Sequence, residues 1–452
     1  MNPKNVGRRQ FFKKSALGVL GAGLAGSRAM AAAGRSSQAL AAPPKSSQAA
    51  PQTAAEAPPK IKEYRALGRT GFKVSDISCG FIMDEGVIRA AYESGLNYFD
   101  TAEQYPGHHR VLAKVIKHMD RNKVFITTKL EVTEDKSKEG FLKRARTALE
   151  ELQTEYVDCL MMHCPEKAET LKTEGFHAAM AELKAEGRVR HVGISQHGTF
   201  WFRDPEETME KILLAAADDG RFDVFLMAYN FLRRDNAEPV LEACGKKGIG
   251  VALMKTAPVA IYYTLKSRVE KLEQDKKEVN PLYADGLVRY KEKFDAAQEF
   301  IKKHNLQNPE EIRDAAIRFV LGNPNVHTAC CQTQTYDDLN AFLRLSGTRL
   351  ALADGAKLDA YREGCGSLYC RHACGVCEPS CPNGVPVNTI LRYQHYFAAQ
   401  RREKEALGYY AGIPGVRADV CRDCAAPCEA ACPYGVPVQG MLLVAHDTLS
   451  LP

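Results

Sequence analysis

The sequence predicts an α/β protein: a closed (β/α)8 barrel of parallel strands over residues 61–350, then a small cysteine-rich helical domain over 360–452. Three observations predict it. Short apolar runs alternate with amphipathic stretches at a regular interval. Most of these runs are apolar throughout, as strands covered on both faces are. Eight such units fit within roughly 290 residues, a length suited to a closed eight-stranded barrel.

The strand candidates, in order, are ISCGFI (77–82), LNYFDT (96–101), KVFITTK (123–129), VDCLMMH (157–163), RHVGIS (190–195), DVFLMAY (223–229), IGVALMK (249–255) and VHTACC (326–331). Between them lie helical patterns such as FLKRARTALEEL (141–152) and PEEIRDAAIRFVL (309–321), with Lys, Arg and Glu outward. A doubly wound open sheet is the competing topology. Its dinucleotide form wants Gly-x-Gly-x-x-Gly after the first strand, and that pattern is absent here.

A closed parallel barrel places its chemistry at the carboxyl ends of the strands. Asp100 ends the second strand, Tyr105 follows in its loop, Lys129 ends the third strand and His163 the fourth. Singly, Asp100 reads as a helix cap, Lys129 as a solvated strand end and His163 as a hydrogen-bonded core imidazole. Together on adjacent strand ends they form a proton-donating group. A free phenol, with a pKa of about 10, is a weak acid unless a cation stabilises the phenolate. Lys129 supplies that cation, Asp100 holds it, and His163 hydrogen-bonds a carbonyl oxygen and aims it at Tyr105. The carbonyl carbon needs a hydride that no side chain can give, so a nicotinamide or similar cofactor is required.

NYFDTAEQY, ITTKL and MMHCP, in this order on these strands, resemble the aldo-keto reductase superfamily over about Tyr64 to Gly347. The resemblance implies an enzyme that reduces aldehydes or ketones with NADP or NAD, with Asp100, Tyr105, Lys129 and His163 catalytic and Tyr105 the proton donor. It also implies a cofactor held by Ser195, Gln196, Tyr229, Asn230, Lys255, Gln334 and Asp338. That side departs from the family pattern. Gln196 stands for the usual Asn, Leu226 for a Gln, and Met254-Lys255 for an aromatic ring that stacks on the nicotinamide. Met-Lys here is similar to members that carry iron-sulfur tails. Beyond the eighth strand Cys331-Gln332-Thr333-Gln334 precedes Tyr336, Asp337 and Asp338, where selection of a 2'-phosphate by charge wants Arg or Lys.

Nine of the 15 cysteines lie after Gly364. Cys370, Cys374, Cys377 and Cys381-Pro382 form one quartet; Cys421, Cys424, Cys428 and Cys432-Pro433 form another. Each is followed by Gly-Val-Pro-Val, at 384–387 and 435–438, so the tail is an internal duplication. Thiols two or three residues apart, ended by Cys-Pro, let a tight loop surround an iron-sulfur cubane. The arrangement resembles the two-cluster ferredoxin module, which implies two 4Fe-4S clusters with Cys381 and Cys432 exchanged between them and Cys365 spare. Zinc ribbons also pair cysteines, and export permits disulfides. Cys159, Cys164, Cys330 and Cys331 read as small buried hydrophobes of the barrel.

The first 60 residues stand apart. Arg8 and Arg9, followed by Gln10, Phe11, Phe12 and Lys13 and an apolar run of 11 residues from Ala16 to Gly26, resemble a twin-arginine signal peptide over 1–31. That run is shorter than the ~20 residues needed to span a bilayer. Ala29-Met30-Ala31 supplies a small-x-small cleavage site. A basic amphipathic surface helix is the alternative. The leader holds six basic and no acidic side chains, so the net charge of +6 belongs to it, and the rest shows no basic face for nucleic acid. Residues 32–60, rich in Ala, Pro, Ser and Gln without an aromatic, read as a disordered linker.

The leader and the tail explain each other, because the twin-arginine translocase carries folded cargo and clusters are loaded in the cytoplasm. The expectation is therefore a periplasmic or extracytoplasmic oxidoreductase without a transmembrane anchor after cleavage. It acts on a small carbonyl or alcohol and exchanges electrons with a quinone or cytochrome. The alternative is an iron-sulfur electron-transfer or binding protein whose barrel no longer uses a nicotinamide. Between Pro258 and Asn308 a Lys/Glu-rich insertion reads as a solvated helix, with Ile261, Tyr262 and Tyr263 as pocket candidates.

Overall fold

The computed structural model describes residues 57–196, 207–274, 284–372 and 374–450. The leader and most of the linker expected over 1–60 lie outside them. Two short strands come first, β1 (Tyr64–Ala66) and β2 (Lys73–Ser75), paired antiparallel. Then β3 (Ile77–Cys79), β4 (Tyr98–Asp100), β5 (Phe125–Glu131), β6 (Val157–His163), β7 (Val189–Gln196), β8 (Val224–Ala228), β9 (Gly250–Met254) and β10 (Thr328–Cys331) follow. They form a closed parallel barrel, β10 pairing with both β9 and β3. All eight strands fall within or across the apolar runs. β5 runs on to Glu131, so Lys129 sits inside the strand rather than at its end.

The β1–β2 hairpin was not expected, and it closes the amino end of the barrel. Leu67 and Val74 are fully buried with Tyr98, Phe125, Met161, Val224 and Leu226 in the barrel's interior. Phe72 reaches in beside Phe125, with ring centroids 5.3 Å apart. Gly68 has φ +48°, and a Cβ there would lie 2.3 Å from the Gly250 nitrogen. The hairpin therefore rests backbone to backbone on the start of β9, which only glycine allows.

Outside the strands the expected helices form. The one at 141–152 begins earlier, at Lys138, because the Ser137 side chain accepts from the Gly140 N–H and caps it. The one at 309–321 runs Pro309–Leu321, capped by Asn308, which accepts from the Glu310 and Glu311 amides. The insertion forms helices Ala260–Gln274 and Ala284–Lys303. Ser267 and Glu270 on the first are exposed, as expected of a solvated face. The second buries Tyr290 and Phe294 against the tail helix Val438–Leu449, and its Arg289 pairs with Glu429 at 3.1 Å.

The tail contributes helices Leu352–Cys365, Val387–Ala399 and Glu403–Ala411 besides Val438–Leu449. They share an apolar core with the insertion and with Phe231 and Leu232 after β8. Residues Ala57–Pro452 thus form one unit. Among the described residues no helix is long and apolar enough to cross a membrane.

Candidate active site and thiol centres

At the carboxyl ends of the strands a cavity of about 1140 Å³ opens, lined by Asp100, Tyr105, Lys129, His163, Ser195 and Lys255 from the barrel. Asp100 and Lys129 are 5% and 1% exposed. The Lys129 Nζ donates to Asp100 Oδ2 at 2.6 Å and to the Thr101 carbonyl at 2.7 Å. The Thr127 hydroxyl donates to Asp100 Oδ1 at 2.6 Å, so both carboxylate oxygens are engaged. Removing one member of such a buried pair leaves an uncompensated charge. Lys129→Met is expected to lower unfolding free energy by ~3–5 kcal/mol. The double change Asp100→Asn/Lys129→Met should cost less than Lys129→Met alone, as measured by denaturant unfolding.

The Lys129 ammonium lies 5.1 Å from the Tyr105 ring centroid. The sequence expectation was a phenol acidified by Lys129; the electrostatics of the site run the other way. Burial, then Asp100 and Tyr396, push Tyr105 well above the usual phenol range, with Arg402 opposing. Asp100, 2.6 Å from the Lys129 ammonium, offsets part of that cation's pull on the phenol. Tyr105 therefore keeps its proton.

His163 is fixed through Gln104. Its Nδ1 is 2.7 Å from Gln104 Oε1, and the Gln104 amide nitrogen donates to Glu103 at 3.1 Å. The amide is thereby oriented with its oxygen toward the ring, so Nδ1 carries the proton. Burial, Lys129 and Lys255 hold His163 well below the usual imidazole range and hence neutral. A neutral imidazole in this cavity is suited to hydrogen-bonding a substrate oxygen. The Tyr105 and His163 rings meet edge-on, 6.5 Å between centroids.

On the cofactor side, Ser195 and Gln196 close β7. The Ser195 hydroxyl is buried without a partner among the described residues, as is the Gln332 Nε2, and both residues line the cavity. A carboxamide needs such groups, so these two fit a nicotinamide. Sequence reading had passed over Gln332. Three expected residues do not line the cavity. Gln196 donates to the Pro165 carbonyl at 2.9 Å, the Tyr229 hydroxyl to Glu238 at 3.1 Å, and Asn230 Nδ2 to the Lys255 carbonyl at 2.9 Å. They brace the rim. Gln334 and Asp338 do line the cavity, yet Gln334 Nε2 donates to the Phe81 carbonyl at 3.0 Å. Asp338 accepts from the Gln334 and Thr335 amides in a helix capping box.

Two rim residues adopt the left-handed conformation without being glycine: Cys164 at φ 48° and Lys255 at φ 58°. Cys164, Cys330 and Cys331 line the cavity, the first two only partly buried, so they are not simply core. Tyr263 lines it as expected, whereas Tyr262 is buried in the tail core. The side chain of Ile261 lies outside the described residues. The remaining wall comes from the tail: Arg392, His395, Tyr396 and Arg402 line the same cavity. Sequence reading did not foresee this wall.

The eight expected tail thiols fall into two sets. Cys370, Cys374 and Cys377 share one small cavity with Cys432; Cys421, Cys424 and Cys428 share another with Cys381. None of the 15 cysteines is joined to another in a disulfide in this structure. Among the described residues no three His, Cys, Asp or Glu side chains lie close enough to hold a single metal ion. The surroundings repeat. Glu378 accepts from the Asn388 amide at 2.8 Å, and Glu429 from the Gln439 amide at 2.8 Å. Gly384 and Gly435 both have φ 63°. Asn388 Nδ2 donates to Cys370 Sγ at 3.4 Å, and the Val385 amide to Cys381 Sγ at 3.3 Å. Arg233, fully buried with its Nε lacking a partner among the described residues, donates to the His372 carbonyl. Arg371, also buried, lies 3.6 Å over the Tyr434 ring beside the first thiol set. Cations there suit thiolates better than thiols.

The closed barrel, with Asp100, Tyr105, Lys129 and His163 gathered on its carboxyl rim, defines the class, a (β/α)8 protein. The chain belongs to the aldo/keto reductase family, whose sequence pattern matches residues 84–363. Among curated relatives, methylglyoxal reductase DkgB of Salmonella typhi is 32% identical over 133 residues, 29% of this chain and 47% of the relative. L-galactose dehydrogenase of Arabidopsis thaliana is 33% identical over 158 residues, 29% of this chain and 48% of the relative. The chain spans about half the length of these relatives. Among solved structures, the aldo-keto reductase AKR11C1 from Bacillus halodurans aligns with a TM-score of 0.49 at 20% identity, covering 66% of this chain and 95% of that one.

Proposed function

We propose that the protein reduces a carbonyl, or oxidises the matching alcohol, using NADP or NAD, and that its tail carries two 4Fe-4S clusters. The observation that carries the enzymatic part is the gathering of Tyr105, Lys129, Asp100 and His163 around one cavity at the barrel rim. The nicotinamide, when bound, supplies the hydride. Ser195 and Gln332 would hold its carboxamide, their polar atoms otherwise lacking partners among the described residues. Tyr105 gives its proton to the oxygen of the reacting carbonyl, and Lys129, fixed by Asp100 and Thr101, steadies the phenolate that remains. His163, neutral and fastened by Gln104, lies in the same cavity and orients the substrate oxygen by a hydrogen bond. Family membership and relatives named as a reductase and a dehydrogenase support the reading.

The duplicated thiol spacing, two four-cysteine cavities and buried arginines beside the first support the iron-sulfur part. The leader motif supports export through the twin-arginine translocase to the periplasm, with a quinone or cytochrome as redox partner. A second reading is favoured by the tail residues in the cavity: an iron-sulfur electron-transfer protein whose barrel has given up nicotinamide. Anaerobic titration of the purified protein with NADPH and NADH, followed by nicotinamide fluorescence, separates the two. The first reading expects saturable binding that weakens in Ser195→Ala; no binding of either nucleotide favours the second.

A further inference from the structure

We propose that the cavity recognises an anionic group, a carboxylate or phosphate, on the carbonyl substrate, through Arg392, Arg402, Lys255 and His395; the inference rests on the reductase reading above. Three of these four residues belong to a tail segment outside the stretch that matches the family, 84–363, yet they line the same cavity as Tyr105. Their position is on the proton donor's side. The Arg402 guanidinium lies 5.1 Å over the Phe81 ring, and Phe81 packs edge-on against Tyr105 with centroids 5.3 Å apart. Tyr396 joins the two arginines: Arg392 Nε donates to its hydroxyl at 2.6 Å, and the Arg402 guanidinium lies 4.7 Å from its ring centroid.

The charges around Lys255 are of its own sign. Burial, and then Arg392, Arg233 and Arg402, push it well below the usual lysine range, with Cys164 opposing. Glu405 holds one face of Arg402. His395 adds a neutral donor. Gln400 Nε2 approaches its Nε2 at 3.4 Å, which leaves the proton on Nδ1, buried and without a partner among the described residues. Like charges gathered in a half-enclosed cavity repel, and an oxyanion among them turns the repulsion into attraction. Guanidinium forks match a carboxylate or phosphate with paired hydrogen bonds. An oxyanion could also come from the cofactor's pyrophosphate. The contact of Arg402 with Phe81, which packs on Tyr105, favours the substrate.

The test uses full-length, cluster-loaded protein and the pair 4-carboxybenzaldehyde and its methyl ester. The acid is expected to be the better substrate, and Arg392→Gln and Arg402→Gln each to lower the acid-to-ester ratio of kcat/KM about tenfold, mainly through KM, with Arg402→Lys retaining most of it. Calorimetric binding of benzoate, which needs no turnover, should weaken about tenfold in Arg402→Gln. An unchanged ratio in both variants overturns the inference and leaves the reductase reading standing. Turnover of neither aldehyde, with benzoate bound in an Arg402-dependent way, upholds the anion site and removes the reductase reading. If NADPH displaces benzoate and Arg402→Gln weakens NADPH itself, the cations serve the pyrophosphate, and the inference is overturned.

Discussion

Tyr105→Phe is expected to lower kcat for carbonyl reduction by ~10²- to 10⁴-fold, the usual contribution of a positioned general acid. Only one hydroxyl is removed. The ring keeps its edge-on contact with Phe81 at 5.3 Å and its place 5.1 Å from Lys129, so melting temperature and iron content should not move. The pH profile sharpens the test. A phenol raised well above its ordinary value stays protonated, and reduction needs the protonated form, so kcat should not fall until the pH passes about 10. His163, held neutral by burial, gives no inflection near the ordinary imidazole value of ~6.5. A wild-type profile that drops through pH 8, or full turnover in the variant, would remove Tyr105 from the role of acid.

Cys432→Ser is expected to damage the centre formed by Cys370, Cys374 and Cys377, from which it is distant in sequence, and to spare the centre of its own motif. The reason is the placement of its thiol in the first cavity, while Cys381 takes the corresponding place in the second. Intact protein should hold about eight irons, as two 4Fe-4S clusters require. The variant should lose about half or hold a cluster with shifted spectroscopic properties, and Cys381→Ser should do the same to the other centre. Electron paramagnetic resonance of the reduced proteins distinguishes them, because each variant then leaves a different signal intact. If both variants removed the signal of their own sequence motif instead, the exchange of ligands would be wrong. Bound zinc without iron would sink the cluster reading altogether.

The barrel was legible because its strands are covered on both faces and therefore read as unbroken apolar runs, as LMMH before Cys164 and VALM before Lys255 show. The floor was not: β1 and β2 have three residues each, too few for a period to emerge, and Tyr64 on β1 is exposed. The tetrad was found from strand order alone. Its electrostatics were not, because the state of Tyr105 depends on burial and that of His163 on the Gln104 amide, neither of which is a property of the motif. The thiol spacing pointed to paired quartets because three thiols of each set are local in sequence, the fourth coming from the other repeat. The wall built by Arg392, Tyr396 and Arg402 escaped notice because it depends on where a distant helix docks.

Closure of the amino end of the barrel by Leu67, Phe72 and Val74 bears on kinetics. Both reactants of the proposed reaction would share the one cavity at the carboxyl ends, whose wall includes Arg392, His395 and Tyr396 of the helix Val387–Ala399. Such traffic must queue: whichever reactant lies deeper enters first and departs last, and steady-state rates should follow a compulsory order rather than a random one.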